Sequence, residues 1–260
     1  TGAPPRAQAE QAAQGAFKRV VSEKLRDWRV ALRELEAAAP EASDGGWRRV
    51  HEQQALSRMR QSWLEAHAAY ESVQGALAPL FPELDQAVDA RYDDCLNRLG
   101  AVGDPRPFDA EGVTGMHAIE RVLWADAIPP DVARFESALL GQRAAAFPQD
   151  ASEAAVFKRE LVGALLQAAS TLEQQFASIE VDAAFVVRGV FDLGHAQREK
   201  VQRAATGQEE SRYAQATMSD LRANLSGCRA AYETLRPWLN AEPSAAALDA
   251  AVLNAFARLE

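Results

Sequence analysis

Residues 56–73, LSRMRQSWLEAHAAYESV, decide the fold. Leu56, Met59, Trp63, Ala66, Tyr70 and Val73 recur at alternating spacings of three and four, which puts them on one narrow stripe of a 3.6-residue helix. The same spacing returns in Phe17, Val21, Trp28, Leu32 and Leu35, in Phe157, Leu161, Leu165, Ala168, Leu172 and Ile179, and in Met218, Leu221, Leu225, Cys228, Tyr232 and Leu235. A helix with one apolar stripe must bury it against a neighbour, so at least four such helices predict an all-α bundle.

Composition points the same way. Only three Ile and six Thr occur in 260 residues, while Ala, Leu, Glu, Gln and Arg dominate, a choice that favours helix over strand. The prolines fall at 4–5, 40, 79, 82, 105, 107, 129–130, 148, 237 and 243 and leave long uninterrupted stretches between them. Turns are expected at Ser43-Asp44-Gly45-Gly46, at Pro79 to Pro82 and at Gly100 to Phe108, with a helix start at Pro129-Pro130-Asp131. Phe147-Pro148-Gln149-Asp150 is the best boundary between halves, giving segments 1–148 and 149–260.

Several function classes are disfavoured at this level. The chain has 28 basic and 37 acidic residues, a net charge of -9 and a pI near 5.1, and no basic stripe is visible, so nucleic-acid binding is not expected. The longest run without a charged residue, Leu161 to Leu172, is too short to span a bilayer as a helix, and a mean hydropathy of -0.27 fits a soluble globular chain. Cys95 and Cys228 exclude a multi-thiolate zinc site; both sit at helical spacings that read as buried small hydrophobes, with a disulfide between the halves as the alternative. The opening Thr1-Gly2-Ala3-Pro4-Pro5 has neither initiator Met nor leader and reads as a processed start.

The stretch Gly112 to Trp124 carries the chemistry. On a helix, Met116, Ile119 and Leu123 form one apolar stripe and His117, Glu120 and Trp124 lie beside it, which holds an imidazole and a carboxylate at the border of the core. Such an i, i+3 pair can present two metal ligands in a bundle, although the spacing alone also fits a surface or capping pair.

The run Gly115-Met116-His117-Ala118-Ile119-Glu120 resembles the G-x-H-x-x-E signature of the imelysin-like family, whose superfamily includes the EfeO and EfeM proteins of bacterial iron uptake. Trp63-Leu64-Glu65-Ala66-His67-Ala68-Ala69-Tyr70-Glu71 is similar to that family's W-x-E-A-R-x-x-Y-E segment, and Leu84 to Arg91 to its L-D-x-x-I-D-A-R. Glu209-Glu210-Ser211-Arg212-Tyr213 and Asp220 to Leu225 resemble its E-E-D-R-Y run. The chain departs from the pattern at His67, where Arg is usual, at Gln74, where Glu is usual, and at Gln215-Ala216-Thr217, which replaces His-Thr-Asp.

The resemblance implies two packed up-and-down helical bundles with a site in the cleft between them. It also implies a periplasmic or envelope-associated lipoprotein that binds a metal ion, iron first and zinc or copper otherwise, in partnership with an inner-membrane iron permease. His117 and Glu120 are the expected core ligands. Glu199 is a third candidate, on a face shared with Phe191 and His195, and Glu136 a fourth. Asp85, Asp89, Asp93 and Asp94 form a carboxylate cluster that suits Ca²⁺ or Mg²⁺, but a solvated helix face with Arg91 nearby explains them better, and Glu209 and Glu210 read as a structural ion pair or helix start. The peptidase label attached to the family leaves a metallohydrolase as one alternative, without the His-Glu-x-x-His helix such enzymes use, and a polysaccharide-binding module as another.

Overall fold

The computed structural model describes residues 6–41, 46–48, 50–96, 112–204 and 206–259. The expected loop at 100–108 and most of the turn at 43–46 lie outside them. Among the described residues the protein is helical with no strand.

In the first two long helices the predicted stripes are the buried faces. In α1 (Arg6–Ala38) Phe17, Val21, Leu25, Trp28, Leu32 and Leu35 are buried, and in α2 (Val50–Leu77) so are Leu56, Met59, Trp63, Ala66, Tyr70 and Val73. The two helices pack along each other, and the Trp28 and Tyr70 rings meet at 4.9 Å. Four short helices follow, α3 (Pro82–Asp89), α4 (Tyr92–Cys95), α5 (Met116–Leu123) and α6 (Pro130–Ser137), with Pro82 and Pro130 in first turns, where the missing N–H costs nothing.

The expected boundary at 148 falls in the extended stretch before α7 (Ala151–Val156), which Asp150 caps by accepting from the Glu153 N–H. A π turn at Phe157–Val162 leads into α8 (Gly163–Ser178), and α9 (Ala183–Arg203), α10 (Thr217–Leu239) and α11 (Ala246–Leu259) complete the chain. Helices from both sides of residue 148 share one core: α1 packs on α2, α8 and α10, and α2 on α9 and α10. A smaller cluster of Leu193, Cys228, Tyr232 and Phe256 joins α9, α10 and α11. Cys95 and Cys228 are buried and not joined by a disulfide.

Two glycines set the geometry of the centre. Gly227 of α10 lies so close to α2 that a Cβ there would sit 2.0 Å from the Ser72 carbonyl oxygen, so only glycine lets these backbones meet. Gly115, with φ 94° and ψ -176°, occupies a region other residues avoid, and a Cβ on it would lie 2.7 Å from the Val88 oxygen. The glycine of the G-x-H-x-x-E run thus allows the start of α5 to rest on the end of α3, one residue before Asp89.

Two faces differ from the sequence reading. In α10 the buried residues are Thr217, Asp220, Asn224, Gly227, Cys228, Ala231, Tyr232 and Leu235, while Met218 is exposed. The inward face is therefore turned toward Asp220 and Asn224, because polar partners on α2 satisfy them. In α9 the inward side is Ala183, Val186, Gly189 and Leu193, continuing to Lys200, and Phe191, His195 and Glu199 face solvent. One residue is a rotation of 100° on a helix, enough to exchange Glu199 for Lys200 at the core.

Candidate metal centre

Six segments converge on one buried polar cluster. From α2 come His67, Glu71 and Gln74, from the end of α3 Asp89, from α5 His117 and Glu120, from α9 Lys200, from the 209–214 turn Glu210 and Ser211, and from α10 Asp220. His67, Glu71, His117, Glu120, Ser211 and Asp220 are all at most 1% exposed.

Each histidine is held from behind by a carboxylate. His117 Nδ1 lies 2.8 Å from Glu120 Oε2, and Glu120 Oε1 accepts the backbone N–H groups of Tyr213 at 3.0 Å and Ala214 at 2.8 Å. His67 Nδ1 lies 3.0 Å from Asp220 Oδ1. A carboxylate on Nδ1 fixes the tautomer and leaves Nε2 as the free face of the ring, the arrangement found behind metal-bound imidazoles. Trp63 sets the plane of His67 by stacking on it at 4.7 Å and 9°, and its own indole N–H donates to the Met116 carbonyl.

Both free faces meet at Asp89. His117 Nε2 is 3.3 Å and His67 Nε2 3.9 Å from Asp89 Oδ1, while Asp89 Oδ2 is fixed by a 2.8 Å hydrogen bond from Gln74 Nε2. The two Nε2 atoms, Asp89 Oδ1 and the adjacent Glu71 Oε1 are buried and have no hydrogen-bond partner. Buried polar atoms are ordinarily satisfied, so the two Nε2 atoms converging on Asp89 Oδ1, with Glu71 Oε1 3.4 Å from His67 Nε2, mark a candidate place for a ligand. The donor atoms of His67, Asp89 and His117 lie within 4.8 Å of one another, and two imidazoles with one carboxylate suit Fe(II), Zn(II) or Cu(II).

The charges follow from this packing. Burial works against the charged His117 imidazole, but Asp89 and Glu120 outweigh it and raise its pKa to about 9. His67 is likewise raised well above the usual value against burial, chiefly by Asp220. Burial would raise Asp89, yet the two imidazoles hold it well below the ordinary carboxylate range. Burial and the nearby Asp89 charge push Glu210 up to about 8, partly offset by Lys200.

The sequence candidates separate cleanly. His117 is at the centre. Glu120 is directly behind it, with both oxygens already engaged, and presents neither to the point where the orphan atoms meet. Glu136 forms a bidentate pair with Arg121 at 2.9 and 2.9 Å, accepts from the Tyr213 hydroxyl and belongs to a structural network under Tyr92. Glu199 is exposed.

What sequence reasoning left aside is now legible. His67 and Gln74, noted as departures, supply the second imidazole and the amide that aims Asp89. Asp89 and Glu210 lie inside the resembling segments, where the sequence suggests a solvated helix face or a Ca²⁺ or Mg²⁺ cluster for the first and a structural ion pair for the second. The signal is their presence in the family-like runs; their spacing carries none, because the cluster draws on separate helices and a turn spread from residue 67 to residue 220.

A family model described as Imelysin matches residues 13–260, and the chain belongs to the imelysin family. No curated protein matches it. The family, which carries a peptidase designation, together with the His/Asp/Glu cluster fits a metal-associated or peptidase-like protein. No helix among the described residues is long and apolar enough to cross a membrane.

Proposed function

We propose that this protein binds one transition-metal ion through His67 Nε2, His117 Nε2 and Asp89 Oδ1, with Glu71 Oε1 beside them, and that iron is the ion it handles. One observation carries the reading: three donors favoured by such metals, two imidazoles and a carboxylate, are buried, convergent and without a hydrogen-bond partner, while the opposite edge of each is pinned by Asp220, Glu120 or Gln74. Glu120 and Asp220 are then positioning residues, which keep both rings oriented and raise the basicity of Nε2. A bound ion would supply the positive charge that the carboxylates around it leave room for. Zinc and copper accept the same donors, so preference for iron rests on the likeness of the 209–225 run to iron-uptake proteins. The same likeness supports an envelope protein that passes its ion to an inner-membrane permease.

The test is metal content after chelator treatment and reloading under anaerobic conditions with Fe(II), then with Zn(II). Wild type should retain one ion per chain, His67→Gln and His117→Gln should lose it, and Glu199→Gln should match wild type. Retention by His67→Gln at wild-type affinity would refute the ligand set, and the absence of any tight ion in wild type would refute the function.

A further inference from the structure

The histidine side does not exhaust the cluster. Glu71, Asp89 and Glu210 bring three carboxylate oxygens within 4.8 Å of one another, and Asp89 belongs to this group and to the histidine group alike. Glu71 is fully buried, and its Oε1 faces the cluster without a hydrogen bond. An all-oxygen set of this kind suits hard divalent cations, unlike the nitrogen-rich side next to it.

Lys200 reaches into that oxygen set. Its Nζ lies 2.8 Å from Glu71 Oε2, 2.5 Å from Glu210 Oε2 and 3.1 Å from Asn224 Oδ1. The ammonium thus donates to Glu71 Oε2 and Asn224 Oδ1 and forms an ion pair with Glu210 Oε2, so three oxygens surround it much as they would a coordinated cation, and its side chain is only 10% exposed. It comes from the face of α9 that turns inward at the end of the helix, so its position is set by backbone packing.

We propose that Lys200 is a tethered cation filling a second, all-oxygen cation position built by Glu71, Asp89 and Glu210, and that it thereby limits the cluster to one metal ion and excludes hard dications such as Mg²⁺ and Mn²⁺. The idea deepens the metal-binding reading and rests on it only for the neighbouring ion. A covalently attached ammonium cannot diffuse away, so it repels a second dication at all times. Without it, buried carboxylates would be left short of positive charge and would recruit an external cation. The soft histidine side would then no longer be the sole entry for metal, and selectivity for transition metals would fall.

The experiment uses the full chain stripped with chelator, Mn(II) as the hard-cation probe read by electron paramagnetic resonance of the free ion, and Zn(II) for the histidine side. Wild type saturated with Zn(II) should bind one zinc and essentially no Mn(II). Lys200→Met should bind one Mn(II) alongside the zinc, with Mn(II) affinity raised at least about tenfold once the repelling charge is gone. Lys200→Arg, which keeps the charge, should behave as wild type, and Lys200→Met with Glu210→Gln should lose the gain. Equal Mn(II) binding by wild type and Lys200→Met, or two ions in wild type, overturns the proposal. If Lys200→Met is unfolded without ions, Mn(II) must restore its melting transition, and failure to do so overturns it equally. A wild type that binds no Zn(II) would refute the metal-binding reading, while the Mn(II) comparison would still decide the role of Lys200.

Discussion

Replacing Gly115 with Ala tests whether that glycine is what joins the histidine of α5 to the aspartate of α3. Two costs are visible. The backbone at φ 94° and ψ -176° lies in a region open essentially to glycine alone, which costs a side-chain-bearing residue about 1–3 kcal/mol. The added Cβ would also stand 2.7 Å from the Val88 oxygen and 2.9 Å from the Ala87 oxygen, closer than real contacts allow, and both neighbours are backbone that cannot swing aside. Overpacking of this kind adds roughly 1–3 kcal/mol, so a total of about 2–6 kcal/mol is expected, a Tm loss of roughly 4–24 °C for a chain of this size. Gly141 is the control, since its φ is 79° but nothing lies within 4 Å of its would-be Cβ. Gly141→Ala should show about 1 kcal/mol of backbone strain alone. Urea unfolding of both variants gives the comparison, and metal affinity should fall only for Gly115→Ala, because relief of the overlap pulls His117 away from Asp89. Equal stability of the two variants, or unchanged metal affinity in Gly115→Ala, would refute the reasoning.

Other expectations follow from the same contacts. The His117 pKa of about 9 means that protons and metal compete for Nε2, so affinity should rise with pH from 6 to 9, by about tenfold per unit for each proton displaced, and a flat titration would exclude an imidazole ligand. In the metal-free protein the sign is opposite: a pKa raised from 6.5 to about 9 contributes stability that is complete below pH 6.5 and is lost as pH rises through 9, which denaturant melts at pH 6 and 9.5 will show. Glu136→Gln should cost about 3–5 kcal/mol by leaving the buried Arg121 charge poorly paired, yet leave metal stoichiometry intact, and loss of the ion would restore Glu136 as a ligand. Trp63→Ala should cost about 3–5 kcal/mol through the cavity it leaves, and should weaken metal binding by freeing the His67 ring; a folded variant of wild-type affinity would show that stacking does not set the ring.

Helix type and the faces of α1 and α2 were legible in the chain because they depend on local periodicity, and apolar residues at three and four must point one way whatever packs against them. The same holds for the placing of Pro82 and Pro130 in first turns, and His117 was found at the centre through the motif it sits in. The face of α9 was not legible, since Phe191, His195 and Glu199 form as regular a stripe as Leu193 and Lys200, and only the close approach of α9 to α2 decides between them. Nor could spacing assign Glu120 to a place behind His117: its second oxygen is claimed by the N–H groups of Tyr213 and Ala214, 93 and 94 residues away. The meeting of His67, Asp89 and His117 is likewise a product of tertiary packing. A hydrophobic stripe records which side of a helix is buried, whereas the partners of a buried charge are chosen by the helices that cross it, and no single helix carries that information.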